Sequence, residues 1–263
     1  VTEVDIMTPR GIRLSATLTE PVDARGSVVV FVHSFLSDRH SGGHFDKLAA
    51  AYRGAGYATL LFDFSGCGLS EDDAITAAHQ VEDLRSVCSW LADRGYAHQI
   101  IHAHSFGAVI ALKAKPPVGT MILSSPVVGP IFFDWNEIFS PEQLDDLESR
   151  RVTRIPDDSE GPREWFVITR DTLKDLSLND TSELLSDLEA PVSIIFDADD
   201  MGLDSIGQAQ EAFPLLPNGS TIHVEHACHF ANLDECQSLL ERSLAWATRH
   251  VSPALPKQRV KRS

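Results

Sequence analysis

The chain has 263 residues, 43% of them hydrophobic and 23% charged, which suits one large α/β domain or two small ones with a substantial core. A formal net charge of −16 disfavours nucleic acid and anionic membrane surfaces as partners. No apolar run is long enough to span a bilayer, and the N-terminal Val-Thr-Glu-Val-Asp has neither a basic n-region nor a hydrophobic h-region. A cytoplasmic setting is therefore expected. Cys67, Cys88, Cys228 and Cys236 lack C-x-x-C spacing and read as reduced thiols.

Residues 2–8 and 12–19 read as two short strands around Pro9-Arg10-Gly11. Gly26 to Val32 is a continuous β-branched run, as for a strand buried on both faces of a parallel sheet. It ends in His33-Ser34-Phe35. Phe45, Leu48, Ala49 and Tyr52 then fall at helical spacing, and Gly54 and Gly56 close that helix. The strand from Tyr57 to Phe62 runs into the glycine-rich turn Asp63-Phe-Ser-Gly-Cys-Gly-Leu-Ser70. An amphipathic helix over 75–93 follows, then the apolar pair Ile100-Ile101, a helix-compatible run Ala108 to Leu112, and a strand from Thr120 to Ser124. Strand–helix alternation of this kind implies right-handed crossovers and a mostly parallel sheet with helices on both faces.

Alternation breaks near Pro130, after the sixth strand. The next stretch concentrates aromatics (Phe132, Phe133, Trp135, Phe139, Trp165, Phe166) and predicts two helices separated by the polar loop Asp157 to Pro162. One starts at Ser140-Pro141-Glu142-Gln143, with a capping serine, proline at the first helical position and glutamine at the third. The other follows Thr169. Residues 131–188 thus read as a cap or lid inserted into a core made of 1–130 and 189–251. The core resumes with the strand Pro191 to Phe196, a helix over about 204–213, a last strand from Thr221 to Glu225 and a final helix over 234–249. Residues 252–263 form a basic tail that reads as a frayed, solvated terminus.

At the centre of the chain stands Ala103-His104-Ser105-Phe106-Gly107, one residue away from the G-x-S-x-G pattern. That pattern puts a serine on a sharp strand-to-helix turn with its hydroxyl clear of the sheet. Small residues are needed two positions either side, because strand and helix backbones approach closely there. A serine at its free pKa is a poor nucleophile and needs a base within hydrogen-bond reach. A histidine can take the proton near neutral pH, and a carboxylate can fix the imidazole tautomer. In chain order the candidates are Ser105, an aspartate after a later strand, and a histidine after the last strand; all three fall at carboxyl ends of strands.

These residues, taken together, resemble the α/β-hydrolase superfamily, and within it the small cytoplasmic serine esterases that include cinnamoyl and feruloyl esterases. The similarity runs from Val28 to His250. His33-Ser34-Phe35 is similar to the family's His-Gly-Phe loop, Asp63 to Ser70 to its D-x-x-G-x-G-x-S turn, and Trp165 to Leu176 to a segment of such lids. The resemblance implies Ser105 as nucleophile and His229 as base, with the backbone N–H groups of Phe35 and Phe106 as oxyanion hole. The family's G-x-x-D pattern selects Asp200 from Asp197-Ala-Asp199-Asp200 as the acid, with Asp199 the competing candidate. Four of the pattern's glycines are replaced, by Ser34, Ala103, Asp197 and Cys228.

The implied function is cofactor-independent cleavage of a small acyl or aryl carboxylic ester through an acyl-enzyme. Acyl transfer, thioester hydrolysis and carbon–carbon bond hydrolysis use the same triad and remain open, as does a non-catalytic ligand-binding homologue. A serine at the elbow argues against epoxide-hydrolase chemistry, where the resembling residue is usually aspartate. Ser34, His104, Phe132, Phe133, Trp135 and Trp165 are the candidate pocket residues, although the aromatics could equally form the cap's own core. His33 is expected to steady the oxyanion loop. His40 and His44 lack an adjacent third ligand, so no metal is expected. The expected partner is a small-molecule ester, with no nucleic acid or membrane and with a homodimer left open.

Overall fold

The computed structural model describes residues 1–21, 26–159, 161–198, 203–226 and 237–253. Its centre is an eight-stranded sheet. The strands are β1 (Thr2–Met7), β2 (Arg13–Thr19), β3 (Ser27–Val32), β4 (Ala58–Phe62), β6 (His98–His104), β7 (Thr120–Ser124), β10 (Val192–Asp197) and β11 (Thr221–Glu225). Their spatial order is β1-β2-β4-β3-β6-β7-β10-β11. Only β2 runs against its neighbours, pairing antiparallel with β1 and with β4. The other pairs are parallel.

Parallel strands in the middle of such a sheet are covered on both faces, and their sequences show it. Every residue of β3, β4, β7 and β10 is buried. On one face, α2 (Ala77–Ala92) and α3 (Phe106–Ala114) pack Leu84, Val87, Leu91, Val109 and Leu112 against Val30, Leu60 and Ile101. On the other, α1 (His44–Gly54) and α9 (Gln237–His250) pack Phe45, Leu48, Leu239 and Trp246 against Phe31, Ile100 and Ile195. The terminal helix is tied in by Trp246 Nε1, which donates to Thr120 Oγ1 at 2.7 Å. Tyr57 OH adds a bond to the Val251 carbonyl at 2.6 Å.

Between β7 and β10 the chain is more regular than the sequence reading. Besides α5 (Pro141–Ser149) and α6 (Arg170–Ser177), it forms the short helices α4 (Trp135–Ile138) and α7 (Thr181–Leu185). It also forms two strands, β8 (Val152–Pro156) and β9 (Trp165–Thr169), paired antiparallel around the polar loop. A two-residue strand from the preceding part of the chain, β5 (Ala74–Ile75), pairs with β9 to complete a separate three-stranded sheet. Among the described residues no strand of this segment joins the central sheet. The α5 start has the expected capping box between Ser140 and Gln143, and Thr169 caps α6. A further helix, α8 (Leu203–Glu211), covers the sheet between β10 and β11. No helix among the described residues is long and apolar enough to cross a membrane.

Candidate active site

Ser105 sits where β6 ends and α3 begins, with φ 51° and ψ −122°. Positive φ is rare for a residue with a side chain, and such strain concentrates at functional sites. The Ser105 N–H is held by the Ser124 carbonyl at 2.9 Å, and the hydroxyl makes no capping bond to its own helix. It is therefore not consumed by the turn that presents it. The close approach expected of the elbow is visible at Gly107. A Cβ there would lie 2.4 Å from the carbonyl oxygens of both Val32 and His33. Ala103, the other small position, is fully buried and accommodates its methyl.

The neighbouring loop leaves the end of β3. His33 is buried there, its Nδ1 2.8 Å from the Ser34 carbonyl and its Nε2 accepting the Phe64 N–H at 3.1 Å. Both ring nitrogens are thereby used with the proton on Nδ1, and burial holds the imidazole below its ordinary pKa against the opposing pull of Asp63. Phe35 and Phe106 meet edge to face with ring centroids 5.9 Å apart, so the two backbones expected to supply the oxyanion hole are neighbours. The Phe106 N–H is the first of its helix and has no intrahelical acceptor. Ser34 does not occupy the left-handed region, so the loop tolerates a serine there; the residue with φ 49° is Leu36.

His104 is half-buried, with Nδ1 3.1 Å from both the carbonyl and the hydroxyl of Ser124. Burial lowers its pKa to about 4, so it is neutral at pH 7 and bonded away from the role of base. The candidate pocket aromatics separate. Phe133 stacks on Trp135 and Trp135 on Phe139, and Phe139 joins Leu147 and Ile168 in a small cluster of the inserted segment. Phe132 is 94% exposed. Trp165 stands on the outward face of β9, 44% exposed, while Phe166 and Ile168 on the opposite face are buried. Phe35 and Leu36 from the loop, and Ile155 from the inserted segment, pack against both the main core and that small cluster.

Asp197 ends β10, buried and in register with Glu225 of β11, whose carboxylate pairs with Arg242. The acid candidates Asp199 and Asp200, the base candidate His229 and Cys228 lie outside the described residues. Among the described residues no group of three or more His, Cys, Asp or Glu is placed to hold a metal ion.

A strand order of this kind with a strained serine between β6 and α3 defines a class, and the comparisons agree. The chain belongs to the alpha/beta hydrolase family, whose model matches residues 29–241. A curated relative is epoxide hydrolase B of Mycobacterium tuberculosis (strain ATCC 25618 / H37Rv), 30% identical over 130 residues. That match covers 47% of this chain and 36% of the relative, so the chain spans little more than a third of that protein. Among solved structures, the alpha/beta hydrolase GrgF from Penicillium sp. sh18 has a TM-score of 0.72 at 17% identity, covering 95% of this chain and 99% of that one. Est1E from Butyrivibrio proteoclasticus, solved with ferulic acid bound, has a TM-score of 0.71 at 14% identity, with 95% and 99% covered.

Proposed function

We propose that the protein is a serine hydrolase cleaving a small acyl or aryl carboxylic ester, with Ser105 as nucleophile. The observation that carries this reading is the Ser105 backbone at φ 51°, on a strand-to-helix turn where its hydroxyl makes no capping bond to the helix that follows. In the proposed reaction, Ser105 Oγ attacks the ester carbonyl while His229, oriented by Asp200 or Asp199, takes its proton. The negative charge that develops on the carbonyl oxygen is met by the N–H groups of Phe35 and Phe106. His229 then returns the proton to the departing alcohol, and water hydrolyses the acyl-enzyme by the same steps. Residues 131–188 serve as the lid over this site.

The similarity to an epoxide hydrolase marks a competing chemistry, and the hydroxyl at position 105 favours ester cleavage over it. The fold is shared with Est1E, which has been solved with ferulic acid bound. Intact-mass analysis after incubation with a fluorophosphonate tests the reading. Single labelling is expected in the wild type and none in Ser105→Ala or His229→Ala. Absence of labelling in folded wild-type protein would overturn it.

A further inference from the structure

We propose that Arg39 is a positioning residue for the oxyanion loop, acting through Asp63 to fix where the Phe35 N–H points. This rests on the reading of Ser105 as nucleophile. The loop from His33 to Arg39 is pinned at both ends to two consecutive residues, Asp63 and Phe64. At the first end, His33 Nε2 accepts the Phe64 N–H at 3.1 Å. At the second, the Arg39 N–H donates to Asp63 Oδ1 at 2.7 Å, and Arg39 Nε and Nη2 donate to Oδ2 at 2.9 and 2.7 Å. The two side chains are 2% and 1% exposed. The outer edge of the guanidinium reaches Thr17 Oγ1 at 2.9 Å, Glu3 at 3.1 Å and Ser15 Oγ.

The glycine-rich turn is built around the same carboxylate. Leu69 N–H donates to Asp63 Oδ2 at 2.9 Å, and a Cβ on Gly68 would lie 2.4 Å from the carboxylate carbon. Ser70 Oγ donates to the Asp63 carbonyl at 2.6 Å and accepts the Ser15 N–H at 2.9 Å. The D-x-x-G-x-G-x-S residues thus form a socket for Arg39. Charge-assisted, forked bonds hold geometry more tightly than neutral ones, and a lysine cannot reproduce the fork. Between the pins lie only Ser34 to Asp38, with Phe35 against Phe106 and Leu36 in the left-handed region. An oxyanion donor must stand about 2.7–3.1 Å from the charge it stabilises, so freeing one pin moves the donor out of range.

The test compares wild type with Arg39→Met, Arg39→Lys and Glu3→Gln in the full chain. Four quantities are measured: the fluorophosphonate labelling rate, kcat and KM on a p-nitrophenyl ester, and the inhibition constant of a trifluoromethyl ketone. The ketone binds as a tetrahedral oxyanion on the serine, so it reports the hole directly. Arg39→Met is expected to lower labelling and kcat by about 100-fold and to weaken the ketone by a similar factor, with KM within about threefold. Arg39→Lys should lose about tenfold, and it keeps the measurement possible if Arg39→Met fails to fold. Glu3→Gln, which alters the outer contacts of the exposed Glu3 to Arg39 and the Thr17 hydroxyl and leaves Asp63 untouched, should match wild type. Folded Arg39 variants with unchanged labelling and ketone affinity would overturn the proposal. Unlabelled wild type would instead overturn the nucleophile reading.

Discussion

At the level of single residues, Ser105 carries two separable properties, its hydroxyl and its backbone. A side-chain-bearing residue held at φ 51° costs on the order of 1–3 kcal/mol, and the cost belongs to the Cβ rather than to the hydroxyl. Ser105→Ala keeps that Cβ and Ser105→Gly removes it. Urea denaturation is therefore expected to find Ser105→Gly more stable than Ser105→Ala by about 1 kcal/mol, while neither variant is labelled. Equal stability of the two would mean that the turn is not strained. This serine was legible in the sequence because small residues flank it at fixed spacing. Arg39 was not, since one arginine in a polar loop has no periodicity and its role appears only when Asp63, 24 positions on, folds back against it. The backbone at Ser34 was illegible for a related reason. The left-handed residue of that loop is two positions later, at Leu36, which a glycine pattern does not reveal.

Among the elements, the central sheet was legible and the inserted segment only partly. Strands β3, β4, β7 and β10 are short, mostly apolar runs buried on both faces, so their sequences carry the signal alone. Helices α5 and α6 announce themselves by their caps. Strands β8 and β9 are five residues each, β8 ends on Pro156 and Pro162 lies in the loop between them, and they gain a third partner only from the two-residue β5. That pairing is a tertiary event. It is reinforced by Arg163, whose side chain is 8% exposed and donates to the carbonyls of Gly68 at 3.2 Å and Ser70 at 2.6 Å. Thr172 Oγ1 reaches the Ile75 carbonyl, and Asp175 accepts the Ala77 N–H at 2.7 Å. Asp72, the acidic partner of Arg163, is 89% exposed and adds little. Arg163→Ala should therefore cost about 2 kcal/mol, mostly through the two lost carbonyl contacts. Calorimetry would then find Tm lower by about 4–8 °C. A Tm within a degree of wild type would assign the attachment to the β5–β9 pairing and the other contacts.

For the molecule as a whole, acid response is set by histidines that fold neutral inside a strongly acidic chain. His102 is buried, stacked on Phe31 and bonded through Nδ1 to Tyr52 OH at 3.1 Å. Burial, then the neighbouring His44 and His104, pushes its pKa down to about 3, and burial brings His104 to about 4. His33 moves in the same direction. A lowered folded-state value means that the unfolded chain, titrating near 6.5, binds more protons in the interval between. Stability from these groups is thus complete above about pH 6.5 and is lost as pH falls toward 4. With two such histidines the slope approaches about 2.7 kcal/mol per pH unit in the middle of that interval. Two effects oppose it at the acidic end. Protonation of surface carboxylates relieves the repulsion of a chain carrying −16, and the buried Asp83 and half-buried Asp175, raised by desolvation, gain stability on protonation. The histidines pull the other way between pH 6.5 and 5, where the unfolded chain takes up their protons. Urea midpoints at pH 7.5, 6.5, 5.8 and 5.2 should fall progressively below 6.5, and His102→Gln should reduce the slope by about half. A wild-type profile that is flat across this range would show that the imidazoles beneath the elbow protonate without disturbing the fold.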